Sequence, residues 1–405
     1  MNTKRNIFIP VLLILISAVM FIQCTNTKEI RTLIITGQNN HNWEVSTPVL
    51  QKLLDQSDLF IADVVKTPPG GEDMSSFLPD FSIYDLVVLD YNGDNWSEET
   101  NKAFLEFVNS GGGVVVYHAA GNGFPEWKEY NEITGLGGWG NRDENSGPYV
   151  RWKDGKAVKD NSPGRGGSHG PQHEFLMNMR DLEHPITKGL PEKWMHAKDE
   201  LYSELRGPAI NLHILATAYA DTAKGGTGEH EPLLFTINYG NGKIFHTALG
   251  HAGAIEESNP AMQCVGFITT FLRGAEWAAT GKVTQEIPED FPTLHETHIW
   301  KDYKPLELSQ ILDIINNYTK GDSRQYLQDL SYFIIRNSGD KNKLAEIENE
   351  LIEFLGSNAS ADSKAYVCRE ISVFGSTKAV PVLKDLLNND NTAEMARFAL
   401  DRIEE

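Results

Sequence analysis

Short apolar runs, each closed by a glycine or a polar residue, alternate along much of this chain with longer stretches of helical spacing. Arg31–Thr36 (RTLIIT) is such a run, ended by Gly37, and reads as a buried strand. Trp43–Asp55 carries apolar side chains at Val45, Val49, Leu50, Leu53 and Leu54, the repeat of an amphipathic helix. Leu59–Val65, Tyr84–Asp90 and Val114–His118 supply three more strands. Ser97 caps a helix that runs through Thr100, Phe104 and Phe107 and closes at Gly111. Strands alternating with helices predict an α/β fold with a parallel, doubly wound sheet. Ligands of such sheets bind beyond the carboxyl ends of the strands, here 37–41, 90–92 and 118–121.

Residues 135–171 interrupt the alternation with Gly, Asn, Pro and Trp. A loop of this length in a compact domain is usually functional, and Trp139 and Trp152 argue against disorder, so it reads as a lid or wall over the strand ends. The pattern resumes with strands at Phe175–Met179, Leu212–Tyr219, Leu233–Tyr239 and Lys243–Leu249. Asn238 to Gly242 is a hairpin turn, and Pro260–Thr280 reads as one long amphipathic helix. Residues 281–305, with three prolines, look like a linker. From 306 to 405 six helical segments fit, near 307–319, 322–337, 341–356, 360–374, 376–388 and 391–404, and the last three are similar to HEAT-like helix-pair repeats.

The N-terminus has the layout of an export signal. Lys4 and Arg5 precede an apolar run from Ile7 to Ile22, and Cys24 follows. That places a lipoprotein-type signal at 1–23, a lipidated Cys24, a polar tether at 24–29 and the α/β domain at 30–280. A periplasmic or outer-membrane lipoprotein held by its acyl chain is the expectation. Residues Phe21 to Gln23 depart from the small residues usual before such a cysteine. Cys264 and Cys368 fall in different domains, so no disulfide framework is expected. The formal charge of −20 argues against nucleic acid and against an acidic membrane surface as partners.

Several residues can carry chemistry. Val116-Tyr117-His118-Ala119-Ala120-Gly121 resembles a nucleophile elbow, with His118 as the projected side chain. No Cys or Ser stands there, so acyl transfer by a nucleophile–His pair is not supported. Asp199, Glu200 and Tyr202 offer a general base, a metal ligand or sugar-hydroxyl acceptors, although an Asp-Glu pair by itself also fits a solvated surface or helix start. His251 follows a strand end and can turn into a pocket, whereas His246 within the strand and His184 in a turn read as structural. His41, His169, His173 and His230 are further candidates near loops. No C-x-x-C pair is present, and a structural zinc site is not supported. A divalent metal assembled from dispersed ligands stays open, among His118, His173, Glu200 and His251.

Tyr117-His118-Ala119-Ala120, His184 to Pro191, Asp199-Glu200-Leu201-Tyr202 and Ala248-Leu249-Gly250-His251 together resemble the ordered motifs of the ThuA-like, trehalose-utilisation family. The resemblance covers about residues 30–280, and Arg206 to Pro232 is similar to a subgroup of exported members. It implies a class I amidotransferase-like, flavodoxin-like fold without the amidotransferase cysteine, whose elbow position His118 occupies. It also implies disaccharides handled as 3-keto sugars alongside a partner oxidoreductase. Within that expectation His118 or His251 acts as base, while Asp199 and Glu200 orient it, bind hydroxyls or hold a metal. Tyr202, Arg142 and Arg206 can donate to oxygens, and Trp43 and Trp139 can stack on a sugar face. Two competing readings are a non-catalytic sugar-binding lipoprotein and a scaffold whose helical domain recruits a partner.

Overall fold

Apolar strands too short to bury themselves alone find their neighbours in a single nine-stranded sheet. The computed structural model describes residues 29–253, 259–300, 307–320 and 325–404. The expected signal at 1–23, the expected lipidation site Cys24 and the expected tether as far as residue 28 lie outside them. In chain order the α/β part contains β1 (Ile30–Thr36), α1 (Trp43–Asp55), β2 (Phe60–Lys66), β3 (Leu86–Leu89), α2 (Glu98–Asn109), β4 (Gly113–Tyr117) and α3 (Lys128–Thr134). There follow β5 (Tyr149–Lys153), β6 (Lys156–Asp160), β7 (His173–Met179), β8 (Lys193–Asp199), β9 (His213–Tyr219), β10 (His230–Tyr239) and β11 (Gly242–Thr247). The strand order is β2-β1-β3-β4-β11-β10-β9-β7-β8. The first five strands pair parallel, in the 2-1-3-4-5 order of flavodoxin-like sheets, and the last four extend the sheet antiparallel.

The central strands are apolar on both faces because both faces are covered. Val87, Val88, Val115 and Val116 are fully buried, as are Phe104 of α2 and Phe267 and Phe271 further along the chain. The Ser97 cap forms as its sequence predicts, with its hydroxyl accepting from the Thr100 amide at 3.1 Å. Between β10 and β11 only Gly240 and Asn241 intervene, and Gly240 takes φ +56, a conformation that favours glycine.

Three sequence expectations change. The long helix splits into α4 (Pro260–Gln263) and α5 (Val265–Thr280), because Cys264 takes an extended backbone and bridges to Ile299. The 135–171 loop contains the β5–β6 hairpin. Residues 281–300, which look like a linker in sequence, lie against the α/β domain. There Phe291 packs its ring 5.5 Å from that of Trp194, and the Met195 amide donates to Thr293 O at 2.8 Å.

The remaining helices are α6 (Leu308–Ile315), α7 (Gln325–Arg336), α8 (Lys341–Gly356), α9 (Ala361–Phe374), α10 (Val380–Leu386) and α11 (Ala393–Glu404). They enclose a hydrophobic cluster of their own around Leu330, Leu351, Val367 and Ile371. This region meets the α/β part where α7 packs on α1, with Lys52 Nζ 3.3 Å from Asp329 Oδ1. Among the described residues no helix is long and apolar enough to cross a membrane.

Candidate functional site

At the carboxyl end of β4 the chain must turn sharply, and His118 takes φ +44 to do so. A non-glycine residue there stores on the order of 1–3 kcal/mol of strain. Its Nδ1 lies 2.8 Å from the Ala248 carbonyl, which can only accept. The proton therefore sits on Nδ1, and the lone pair of Nε2 is left to face Glu200 Oε2 at 3.8 Å. The Tyr202 ring stacks on the imidazole at 4.4 Å.

Glu200 reaches this point because β8 ends at Asp199. The Asp199 carboxylate is fully buried and fully engaged. Oδ2 meets His196 Nε2 at 2.7 Å and accepts from the Gly250 amide at 2.8 Å. Oδ1 accepts from the Glu200 and His251 amides at 2.7 and 3.1 Å. Burial would raise its pKa, but the His196 partner outweighs this and holds it to about 2. Asp199 is thus a clamp that fastens the turn after β11 beside the end of β8.

The clamp sets His251 next to Glu200, with Nε2 3.3 Å from Oε1. The Gln172 side-chain amide meets His251 Nδ1 at 3.0 Å. His41, after β1, shares a 2.9 Å hydrogen bond between Nε2 and the Tyr202 hydroxyl. Its ring centre lies 4.7 Å from that of His118 and 4.8 Å from that of His251. His169 Nε2 approaches Glu200 Oε1 at 3.8 Å. Burial raises the Glu200 carboxyl, yet His118, His251 and His169 together bring it below the usual range. Burial, with His118 beside it, pushes His41 down to about 3, so its imidazole is neutral at physiological pH. Burial and the nearby Glu200 and Asp199 raise the Tyr202 phenol far above its ordinary value, so it stays protonated.

Part of the cluster lines a cavity of about 460 Å³ at the switch point between β1 and β3. His41, Glu200, Tyr202, Trp139 and His169 line it, with Asn40, Asn92, Asn95 and Asn122 around them. A larger cavity of about 900 Å³ opens near the amino ends of β3 and β4, beside Tyr84 and Gly112, and no histidine lines it.

His118, His251, Glu200, Tyr202, His41, Trp139 and His169 therefore come together, and other expected site residues do not. Trp43 sits under the Lys66 ammonium at 5.0 Å. The Arg142 guanidinium donates to the carbonyls of Asn122, Gly123 and Gly138 and to Asn131 Oδ1. That of Arg206 donates to the carbonyls of Gly147, Ser162 and Gly164 and lies 3.7 Å over Tyr149. His230 meets Arg180 and Thr217, and His173 Nδ1 turns back to Pro171 O. Asp90 belongs to the strand-end segment 90–92 marked out in the sequence. It ties the first strand-end loop from behind, accepting from Asn39, Ser46 and Thr47. Gln172, Asn95 and Asn122 escaped sequence reading, since lone amides carry no spacing signal. Asn40 and Asn92 stand within the strand-end segments that the alternation of elements marks out.

Residues 31–278 match the family model described as ThuA, trehalose utilisation. A ThuA-like protein of Parabacteroides merdae is 62% identical in its crystal structure, with a TM-score of 0.67, and the match covers 68% of this chain and 99% of that one. A second ThuA-like protein, from Bacteroides uniformis, is 17% identical with a TM-score of 0.41, over 63% of this chain and 93% of that one. No curated protein matches. With the family model spanning well over half its length and this motif order in place, the chain belongs to the ThuA family.

Proposed function

We propose that this protein acts on a neutral sugar or glycoside, in its 3-keto form, by acid–base chemistry at Glu200. The observation that carries the reading is the convergence of His41, His118, His169 and His251 around Glu200, a carboxylate that lines the cavity. A keto group at C3 acidifies the neighbouring C–H bonds. Removal of one proton gives an enediolate, from which isomerisation, epimerisation or loss of a glycosidic oxygen follows. Glu200 is the proton acceptor, and Tyr202, which keeps its proton, donates to the developing oxyanion. His251 acts as a positioning group that holds the carboxylate.

The cavity lining supports an uncharged substrate. Four asparagine amides can pair with hydroxyls, and Trp139, 37% exposed, offers a ring face. No Lys or Arg lines the cavity to meet a phosphate or carboxylate. Glutamine hydrolysis finds no support, since the elbow carries an imidazole in place of a thiol. Export, with lipid attachment at Cys24, belongs to the same reading, as does a partner oxidoreductase that supplies the keto sugar.

Turnover of 3-keto-disaccharides, followed by NMR, tests it. The wild type should convert them, and Glu200→Gln should lower kcat/KM by about 10²-fold or more. Equal turnover by both proteins removes Glu200 from the mechanism. Failure of the wild type to convert or bind any neutral keto glycoside overturns the substrate class.

A further inference from the structure

We propose that His41, His118 and Glu200 form a binding site for one divalent transition metal, with zinc the best fit. One ligand atom from each of the three lies within 4.8 Å of the other two. Two imidazole nitrogens and a carboxylate oxygen suit zinc, iron or cobalt, whereas calcium and magnesium prefer oxygen ligands. His118 is prepared as a ligand. Its Nδ1 is committed to the Ala248 carbonyl, the outer-shell contact that fixes the tautomer of metal-binding histidines and aims Nε2 inward.

An independent observation points to the same place. His118 Nε2 and Glu200 Oε2 are both buried, and among the described residues neither has a hydrogen-bond partner. A buried polar atom left unsatisfied is costly, so both call for a partner. At 3.8 Å they are too far apart to hydrogen-bond to each other. Two ligands bound tetrahedrally at roughly 2.0–2.1 Å stand about 3.4 Å apart, so a small closure seats a cation between them. The Asp199 carboxylate, one residue away, is spent on His196 and three backbone amides and does not compete. His251, with Nε2 3.3 Å from Glu200 Oε1, stands beside the group of three and is not one of its members. His41 and Glu200 also line the cavity, so an ion held here faces whatever enters. When bound it would act as a Lewis acid toward a sugar oxygen.

The test needs no sugar. The full chain is stripped with a chelator and titrated with Zn²⁺ by calorimetry and with Co²⁺ by visible absorption. One equivalent per chain is expected, with the bands of a four- or five-coordinate Co²⁺ site. His41→Ala, His118→Ala and Glu200→Gln should each weaken binding by about 100-fold or more, and His173→Ala should not. Far-UV circular dichroism checks the fold of every variant. If His118→Ala does not fold, the half-buried His41 carries the test. The proposal falls if stripped wild type takes up no stoichiometric metal, or if folded His41→Ala and Glu200→Gln bind as tightly as wild type. Loss of sugar turnover would leave this titration unchanged, and absence of metal would leave the acid–base role of Glu200 standing.

Discussion

His118 and His246 belong to neighbouring strands yet meet opposite surroundings. His246 is a core residue whose Nδ1 donates to Thr134 O at 2.8 Å and whose ring lies 4.3 Å from Phe235. Burial lowers its pKa to about 4. The native state therefore binds this proton less readily than the unfolded chain does. The resulting stability is fully present above about pH 6.5 and is lost as pH falls toward 4. Between pH 7 and pH 5 the loss from this one group is on the order of 2 kcal/mol. Urea midpoints at the two pH values should show wild type losing that much more than His246→Gln. His41 shifts in the same sense and is common to both proteins, so it cancels. Sequence marked His118 and His251 because each follows an apolar strand beside small residues. It could not reveal that Asp199 faces inward, because a carboxylate that clamps amides and one that meets substrate look alike in sequence.

At the scale of elements the long loop is held by buried guanidinium groups. Gly137 and Arg206 pair their backbones, and a side-chain carbon on Gly137 would stand 2.1 Å from Gly121 O. The loop thus lies directly on the His118 elbow. Lysine at position 206 cannot reach the carbonyls of Gly147, Ser162 and Gly164 together. Arg206→Lys should cost about 2 kcal/mol and open the loop near 144–166. Faster limited proteolysis there, with cleavage sites mapped by mass spectrometry, is the expected result. Cleavage at the wild-type rate would show that the staple contributes little. The same blindness explains the helix that splits at Cys264. Apolar spacing runs unbroken through 260–280, whereas the break follows from backbone bonds of Val265 to His298 and of Trp300 to Gln263.

For the whole molecule, the two hydrophobic cores meet through α1, the helix that begins two residues after His41. Lys52 and Asp329 are 8% and 6% exposed, so this ion pair is removed from water. Asp329→Ala leaves the ammonium buried without that partner and should cost about 3 kcal/mol. Lys52→Met combined with Asp329→Leu should recover most of the loss, because an apolar pair of similar size avoids desolvating charge. Thermal or urea unfolding of the three proteins checks both outcomes. A double variant no better than the single one would show that the contact needs its charges.

Local pattern alone determined most of the strands and helices, their order, and the strand ends where a ligand would sit, because burial imposes period 2 or 3.6 on neighbouring residues, whereas β5, β6, β8 and α3 carried no pattern clear enough to read. The same runs foretold the helical C-terminal region. The tertiary structure decided which polar side chains share the cavity. His41, His118, Glu200 and His251 span more than two hundred positions, and their meeting depends on strand order and on the Asp199 clamp. Arg142, Arg206 and His230 have the same chemical capacity, but nearby carbonyls, hydroxyls and rings had already claimed it. Hydrogen-bond partners are chosen in space, and no spacing along a chain encodes that choice.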